Sequence, residues 1–183
     1  LRSTVNPPLT RPKMMPVTTI CDPALTVGLP AHITAATGMD AFAHCLEAYC
    51  ASGFHPLADG VAIEGMRLVK ENLVRAVKTG TDLEARGNMM AAAAMGATAF
   101  QKGLGAIHAL SHPIGALYDT HHGLTNAVFM PYVLVFNRKA IDARIARLSA
   151  YLGLGGTFDS FQGFVLTLRD EIGIPHTLKG LKV

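Results

Sequence analysis

The spacing of apolar residues predicts a succession of amphipathic helices from about Thr37 to the C-terminus. Gly38–Ser52 opens it, with Asp40, His44 and Glu47 at i, i+4 and i+7 and so on one helical face. His55-Pro56 ends that helix. Leu57–Val77 follows, striped by Val61, Leu68, Leu73 and Val77. Thr81-x-x-Glu84 has the form of a capping box and predicts a third helix, Asp82–Phe100. That segment contains AAAAMGATA, whose small side chains permit close helix–helix approach. Gly103 and Gly105 lead into a histidine-rich stretch, and two further helices are predicted beyond Pro131. One carries Ile141, Ile145, Leu148 and Leu152 at helical spacing. The other carries Phe161, Val165, Leu168 and Ile172, with Asp159 as N-cap and Gly173 as its stop.

Residues 1–30 are different in kind: proline-rich, and read as a connector rather than a packed unit. Within them Val17-Thr18-Thr19-Ile20 is a short β-type run ended by Asp22-Pro23. A single short strand lacks the ladder partners it needs. It is therefore expected to be a remnant edge of a sheet in an N-terminal domain that this sequence does not contain. The predicted fold is mainly α, a helical bundle over residues 31–183 behind a crossover at 1–30.

Half of the residues are hydrophobic, only 16% are charged, and the mean hydropathy is +0.31. Against a usual charged share of about 25%, this implies tight Ala/Gly packing or surface that another domain or subunit covers. A membrane span is excluded, because the longest apolar stretches, Met89–Phe100 and Ala127–Phe136, fall short of the ~20 residues required. The net charge of +3 is dispersed, with no basic block and no zinc-finger spacing, so nucleic acid is not an expected partner. Three cysteines without a CxxC motif suit a reduced, cytoplasmic protein. No signal-peptide pattern opens the chain, which starts without Met and reads as a piece of something longer.

The candidate chemistry lies in histidines. HALSHPIGALYDTHHG (His108–Gly123) holds four of the eight. Asp40 and His44, and again His108 and His112, have the i, i+4 spacing that sets two side chains on one helical face; His122 precedes a glycine. A carboxylate with imidazoles and no thiolate suits Fe(II), Zn(II), Mn(II) or Ni(II). Held this way, the ion is a Lewis acid for a carbonyl or an alcohol. The plain alternative stays open, since an isolated Asp-x-x-x-His is more often a solvated or hydrogen-bonded pair than a metal site. Cys45 and Cys50 match no zinc spacing and are expected as buried free thiols; His32, His55 and His176 read as ordinary loop residues. Neither Gly103-Leu-Gly105 nor Gly153-Leu-Gly155-Gly156 completes GxGxxG, and no GxSxG occurs, so the chain has no nucleotide site of its own.

Two long runs say more than spacing does. TGMDAFAHCLEAYCASGFHPLADGVAIEGMRLV (Thr37–Val69) and GLGAIHALSHPIGALYDTHHGLTNAVFMPYVLVFN (Gly103–Asn137) resemble the helical-domain signatures of the iron-containing, group III alcohol dehydrogenases. ICDPALTVGLP (Ile20–Pro30) is similar to that family's crossover from its nucleotide-binding domain. The resemblance implies a dehydroquinate-synthase-like fold, with an N-terminal α/β domain binding NAD(P) and a C-terminal helical domain binding a divalent metal, Fe(II) first and Zn(II) next. Family ligands carried onto this sequence are Asp40, His44, His108 and His122; Gly123 favours His122 over His121 as the last. His112 matches the histidine that faces substrate and nicotinamide, as a proton relay or hydrogen-bond partner. The implied reaction interconverts a small alcohol and its aldehyde with NAD(P), in a protein that is a homodimer at full length. Glycerol dehydrogenase, maleylacetate reductase and a dehydroquinate-synthase-like lyase are the alternatives within the fold, and a non-catalytic helical scaffold is the alternative outside it. The chain by itself is expected to be an inactive fragment, incomplete at its C-terminus as well.

Overall fold

The computed structural model describes residues 16–183; the first half of the connector, residues 1–15, lies outside the described residues. Six α-helices follow one another: α1 (Ala31–Cys50), α2 (Pro56–Lys78), α3 (Leu83–Ala99), α4 (Ala106–Tyr118), α5 (His122–Tyr151) and α6 (Phe158–Glu171). Short 3-10 turns occupy Pro23–Thr26, Phe100–Lys102 and Leu178–Leu181. No strand occurs among the described residues. Val17–Ile20 is exposed and without regular structure, because no described segment offers it a ladder to join. The rest of the connector docks: the ring of Pro23 lies over Gly87 of α3, and the Leu29 carbonyl accepts from Arg86 at 3.5 Å.

α1 is the central helix, packed against α2, α3 and α5. It is buried around most of its circumference, from Thr34 and Ala35 to Leu46 and Tyr49, as a helix with neighbours on every side must be. It begins at Ala31, seven residues before the predicted Gly38, since the Pro30 carbonyl already accepts from Thr34 N at 2.9 Å. Near its middle Phe42 meets Phe161 and Phe164 of α6 at 6.1 and 6.0 Å between ring centroids, which fastens the last helix to the core.

The predicted helices form with shifts at their ends, and the histidine stretch, for which no helix is predicted, folds as α4. Asp82, not Thr81, caps α3, its side chain accepting from Ala85 N at 2.9 Å. Thr157, not Asp159, caps α6 in a capping box with Ser160. Gly173, with φ +72°, stops α6 as expected. The larger difference is Pro131, which interrupts nothing: α5 runs through it for 30 residues. A proline inside a helix costs about 3 kcal/mol. Here Ala127, Val128, Met130, Pro131, Val133 and Leu134 are all buried, so packing holds both halves in one axis. The Pro131 carbonyl itself also ties α5 to α6, accepting from Gln162 Nε2 at 3.1 Å.

The small residues of α3 serve as expected. A Cβ at Gly96 would stand 3.0 Å from His44 Cβ and 3.2 Å from the Ala41 carbonyl, so glycine lets α3 lie directly beneath His44. The apolar composition also has its counterpart on the surface. Leu110, Phe129, Tyr132 and Phe136 line an open groove of about 840 Å³ between α4, α5 and the C-terminal turn, and Phe136 is 84% exposed. No helix among the described residues is long and apolar enough to cross a membrane.

Candidate metal centre

Three helices deliver the predicted residues to one place. α1 presents Asp40 and His44, α4 presents His108 and His112, and α5 begins with His122. Asp40 Oδ1 lies 3.7 Å from His108 Nε2 and 3.5 Å from His122 Nε2, while Asp40 Oδ2 lies 3.8 Å from His44 Nδ1. Ligand bonds of about 2.1 Å place neighbouring atoms of a tetrahedral set about 3.4 Å apart, so these separations suit a first-row divalent ion. Asp40, His44 and His108 form a group whose ligand atoms all lie within 4.8 Å of one another; His122 is not part of that group and approaches it through Asp40 alone at this range. The rings stack as well as converge: His44 and His108 are 4.6 Å apart between centroids, and His112 and His122 are 5.4 Å apart. Burial holds the pKa of His44 and His122 below the ordinary imidazole value, with the neighbouring histidines adding to the effect and Asp40 opposing it. Neutral rings are the form that binds metal.

The approach of α5 to α1 depends on Gly123. A Cβ there would overlap the Ala36 carbonyl and press on Asp40 Cβ, so only glycine lets His122 arrive beside Asp40. His121 does something separate, capping α5 through its Nδ1, which accepts from Leu124 N at 3.4 Å. His112 is exposed, one turn beyond His108 on α4 and beside His122.

Two residues join the site that the sequence alone leaves without a role. Glu47, only 5% exposed, accepts from His108 Nδ1 at 2.7 Å and from Ile107 N at 2.6 Å. Burial pushes its carboxyl up, but the bonds from His108 and from the backbone at Gly105 and Ile107 outweigh this and hold it below its ordinary value. The carboxylate thereby fills the uncapped N-terminus of α4, where Gly105 has no side chain to offer. It also places the proton of His108 on Nδ1, leaving Nε2 with its lone pair toward Asp40. Asn126, one turn beyond His122, sets Nδ2 at 2.7 Å from Asp40 Oδ1, 3.1 Å from His108 Nε2 and 3.0 Å from His122 Nε2. One nitrogen thus stands where Asp40, His108 and His122 meet. The i, i+7 register of Glu47 with Asp40, and the i, i+4 register of Asn126 with His122, are the signals that could have marked them.

The remaining polar candidates stay outside. His55 caps α2 by accepting from Ala58 N at 3.1 Å, His32 sits in the first turn of α1, and His176 pairs with Asp170 at 2.9 Å. Cys45 and Cys50 are free, and burial pushes both thiols up to about 12.

Fold and cluster together define a helical domain built around an inward-facing carboxylate and imidazole set. Residues 34–183 match the Fe-containing alcohol dehydrogenase family, C-terminal. The chain is 46% identical over 179 residues to the 4-hydroxybutyrate dehydrogenase of Cupriavidus necator, across 93% of this chain and 47% of that protein. It is 44% identical over 150 residues to the NAD-dependent methanol dehydrogenase of Bacillus methanolicus, across 81% of this chain and 39% of that protein. The solved iron-containing alcohol dehydrogenase of Thermococcus thioreducens superposes with a TM-score of 0.85 at 34% identity, over 93% of this chain and 45% of that one. The chain belongs to the iron-containing alcohol dehydrogenase family, and it spans about half the length of the curated relatives it matches.

Proposed function

We propose that this domain is the metal-binding half of an NAD(P)-dependent dehydrogenase that interconverts small alcohols and aldehydes. A divalent ion, Fe(II) first and Zn(II) next, would be held by Asp40, His44, His108 and His122. The observation that carries this reading is the group of Asp40, His44 and His108, whose ligand atoms all lie within 4.8 Å of one another, with His122 Nε2 beside it at 3.5 Å from Asp40 Oδ1. When bound, such an ion supplies Lewis acidity toward an alcohol or carbonyl oxygen.

The chain's own residues do the rest. Glu47 fixes the tautomer of His108, and burial favours the neutral form of His44 and His122. His112, exposed beside His122, is positioned to hold or pass the proton of the substrate oxygen at its imidazole. The hydride partner is NAD(P), which we assign to the half of the relatives' length that this chain does not span. The family, the three free cysteines and the lack of a membrane-crossing helix among the described residues support a cytoplasmic enzyme, and the exposed groove beside Phe136 suits a homodimer or a second domain.

Metal analysis tests the centre. The chain reconstituted anaerobically with Fe(II) or Zn(II) is expected to retain about one equivalent after desalting, and His108→Ala and His122→Ala to retain about tenfold less. A wild-type chain that retains neither metal would overturn the reading.

A further inference from the structure

Asn126 is fully buried, and the direction of its amide is fixed by chemistry. Glu47 accepts a hydrogen bond from His108 Nδ1–H, so His108 Nε2 presents a lone pair; Asp40 Oδ1 is an acceptor as well. Both contacts demand a donor, and the atom that faces them is therefore nitrogen, not oxygen.

This arrangement is incomplete in two ways. A primary amide has two hydrogens, which Asp40 Oδ1 at 2.7 Å and His108 Nε2 at 3.1 Å already claim, while His122 Nε2 at 3.0 Å becomes a third acceptor whenever its ring is protonated on Nδ1. On the other side Asn126 Oδ1 is buried with no hydrogen-bond partner. A donor with too many acceptors and a carbonyl with no donor are costly in a buried site and call for a reason. The reason lies in what else could stand at that point. A divalent ion would draw on the lone pairs of the same three atoms, and an N–H pair directed at a cation is repelled by it. Amide and ion exclude one another.

We infer that Asn126 is a built-in stand-in for the ion. Its amide keeps Asp40, His108 and His122 convergent until metal arrives, then turns out of the centre. This rests on the metal-binding reading proposed above. Since the amide stabilises only the form without metal, each ion that binds must first displace it, and affinity is lowered by that amount.

The 183-residue chain is stripped with a chelator and titrated with Zn(II) against a chromophoric competitor. Asn126→Ala is expected to bind Zn(II) about fivefold to tenfold more tightly than wild type, because only the metal-free form loses hydrogen bonds. An unchanged Kd, or weaker binding by the variant, would overturn the inference while leaving the metal centre intact. Wild-type chain that takes up no Zn(II) would instead overturn the metal reading itself. Should Asn126→Ala not fold, the wild type decides the matter by NMR. The side-chain amide pair of Asn126 is expected to be downfield-shifted and slow to exchange in the stripped chain, and to lose both properties at one equivalent of Zn(II). An amide signal that ignores the metal sinks the inference.

Discussion

A carboxylate that bonds one nitrogen of a histidine decides what the other nitrogen can do. Glu47 does this for His108 and caps α4 at the same time. Glu47→Gln keeps the shape but has a single acceptor oxygen for three donors, Ile107 N, His108 N and His108 Nδ1. If its NH2 turns to His108, the ring proton is forced onto Nε2 and the lone pair facing Asp40 is lost. Metal affinity is expected to fall about 10- to 100-fold, measured by competition titration, with the helical circular dichroism signal retained. An affinity equal to wild type would show that Glu47 serves α4 alone. Residues of this kind are where the sequence is hardest to read. Asp40 with His44, and His108 with His112, stand out by their i, i+4 spacing, whereas His122 stands out through the family resemblance and the glycine that follows it. Glu47 shares that register, yet its partner lies 61 positions away, so its role becomes visible only when α4 is in place. Asn126 carries no charge, and its i, i+4 register with His122 acquires meaning only once its amide is seen to meet Asp40, His108 and His122 together.

Between helices, the decisive quantity is how closely two backbones can approach. Gly123 sets the α1–α5 distance, because a Cβ there would overlap the Ala36 carbonyl. Gly123→Ala must force the two helices apart, at an expected cost of about 3 kcal/mol, and carry His122 away from Asp40, so that metal affinity falls with stability. Gly163 of α6 provides the contrast, since a Cβ there would meet nothing within 4 Å. Gly163→Ala is expected to stabilise the chain by about 0.5–1 kcal/mol and leave metal affinity unchanged. Denaturant unfolding read beside Zn(II) titration checks both; equal behaviour of the two variants would refute the distinction. At this scale the sequence is informative about which segments are helical and less so about where they end. Apolar spacing finds α1, α2, α3, α6 and the later part of α5, but not α4 or the start of α5. Ends are less legible still: α1 begins seven residues before the predicted Gly38, and Asp82 rather than Thr81 caps α3. Pro131 misleads for a different reason: local chemistry forbids it, and burial on both sides overrides the prohibition.

Across the whole domain, one ion cluster ties distant parts of the chain together. Asp59 of α2 pairs with Lys102 at 2.7 Å and with Arg144 of α5 at 2.6 Å, and both cations also reach the Tyr49 carbonyl near the end of α1. Asp59→Asn leaves the Lys102 ammonium, whose side chain is 3% exposed, without its counter-charge. The expected loss is about 3 kcal/mol, roughly 6–12 °C in Tm. Burial raises the Asp59 carboxyl, but the bonds from Lys102 and Arg144 outweigh it, and the folded pKa lies below the ordinary value. The contribution is therefore complete above the ordinary carboxylate pKa and is lost as pH falls through the lowered one. Melting curves of wild type and variant should converge toward acid; a gap constant with pH would contradict the assignment. The candidate centre has a reach of the same order. Its donors come from α1 on one side and from α4 and α5 on the other, with residues 45–107 between them. An ion gripped by both groups would therefore close a loop around α2 and α3, helices that give it no ligand. In topological terms the metal would be a clasp on the chain, and how tightly it is held would also gauge how well those two intervening helices are packed.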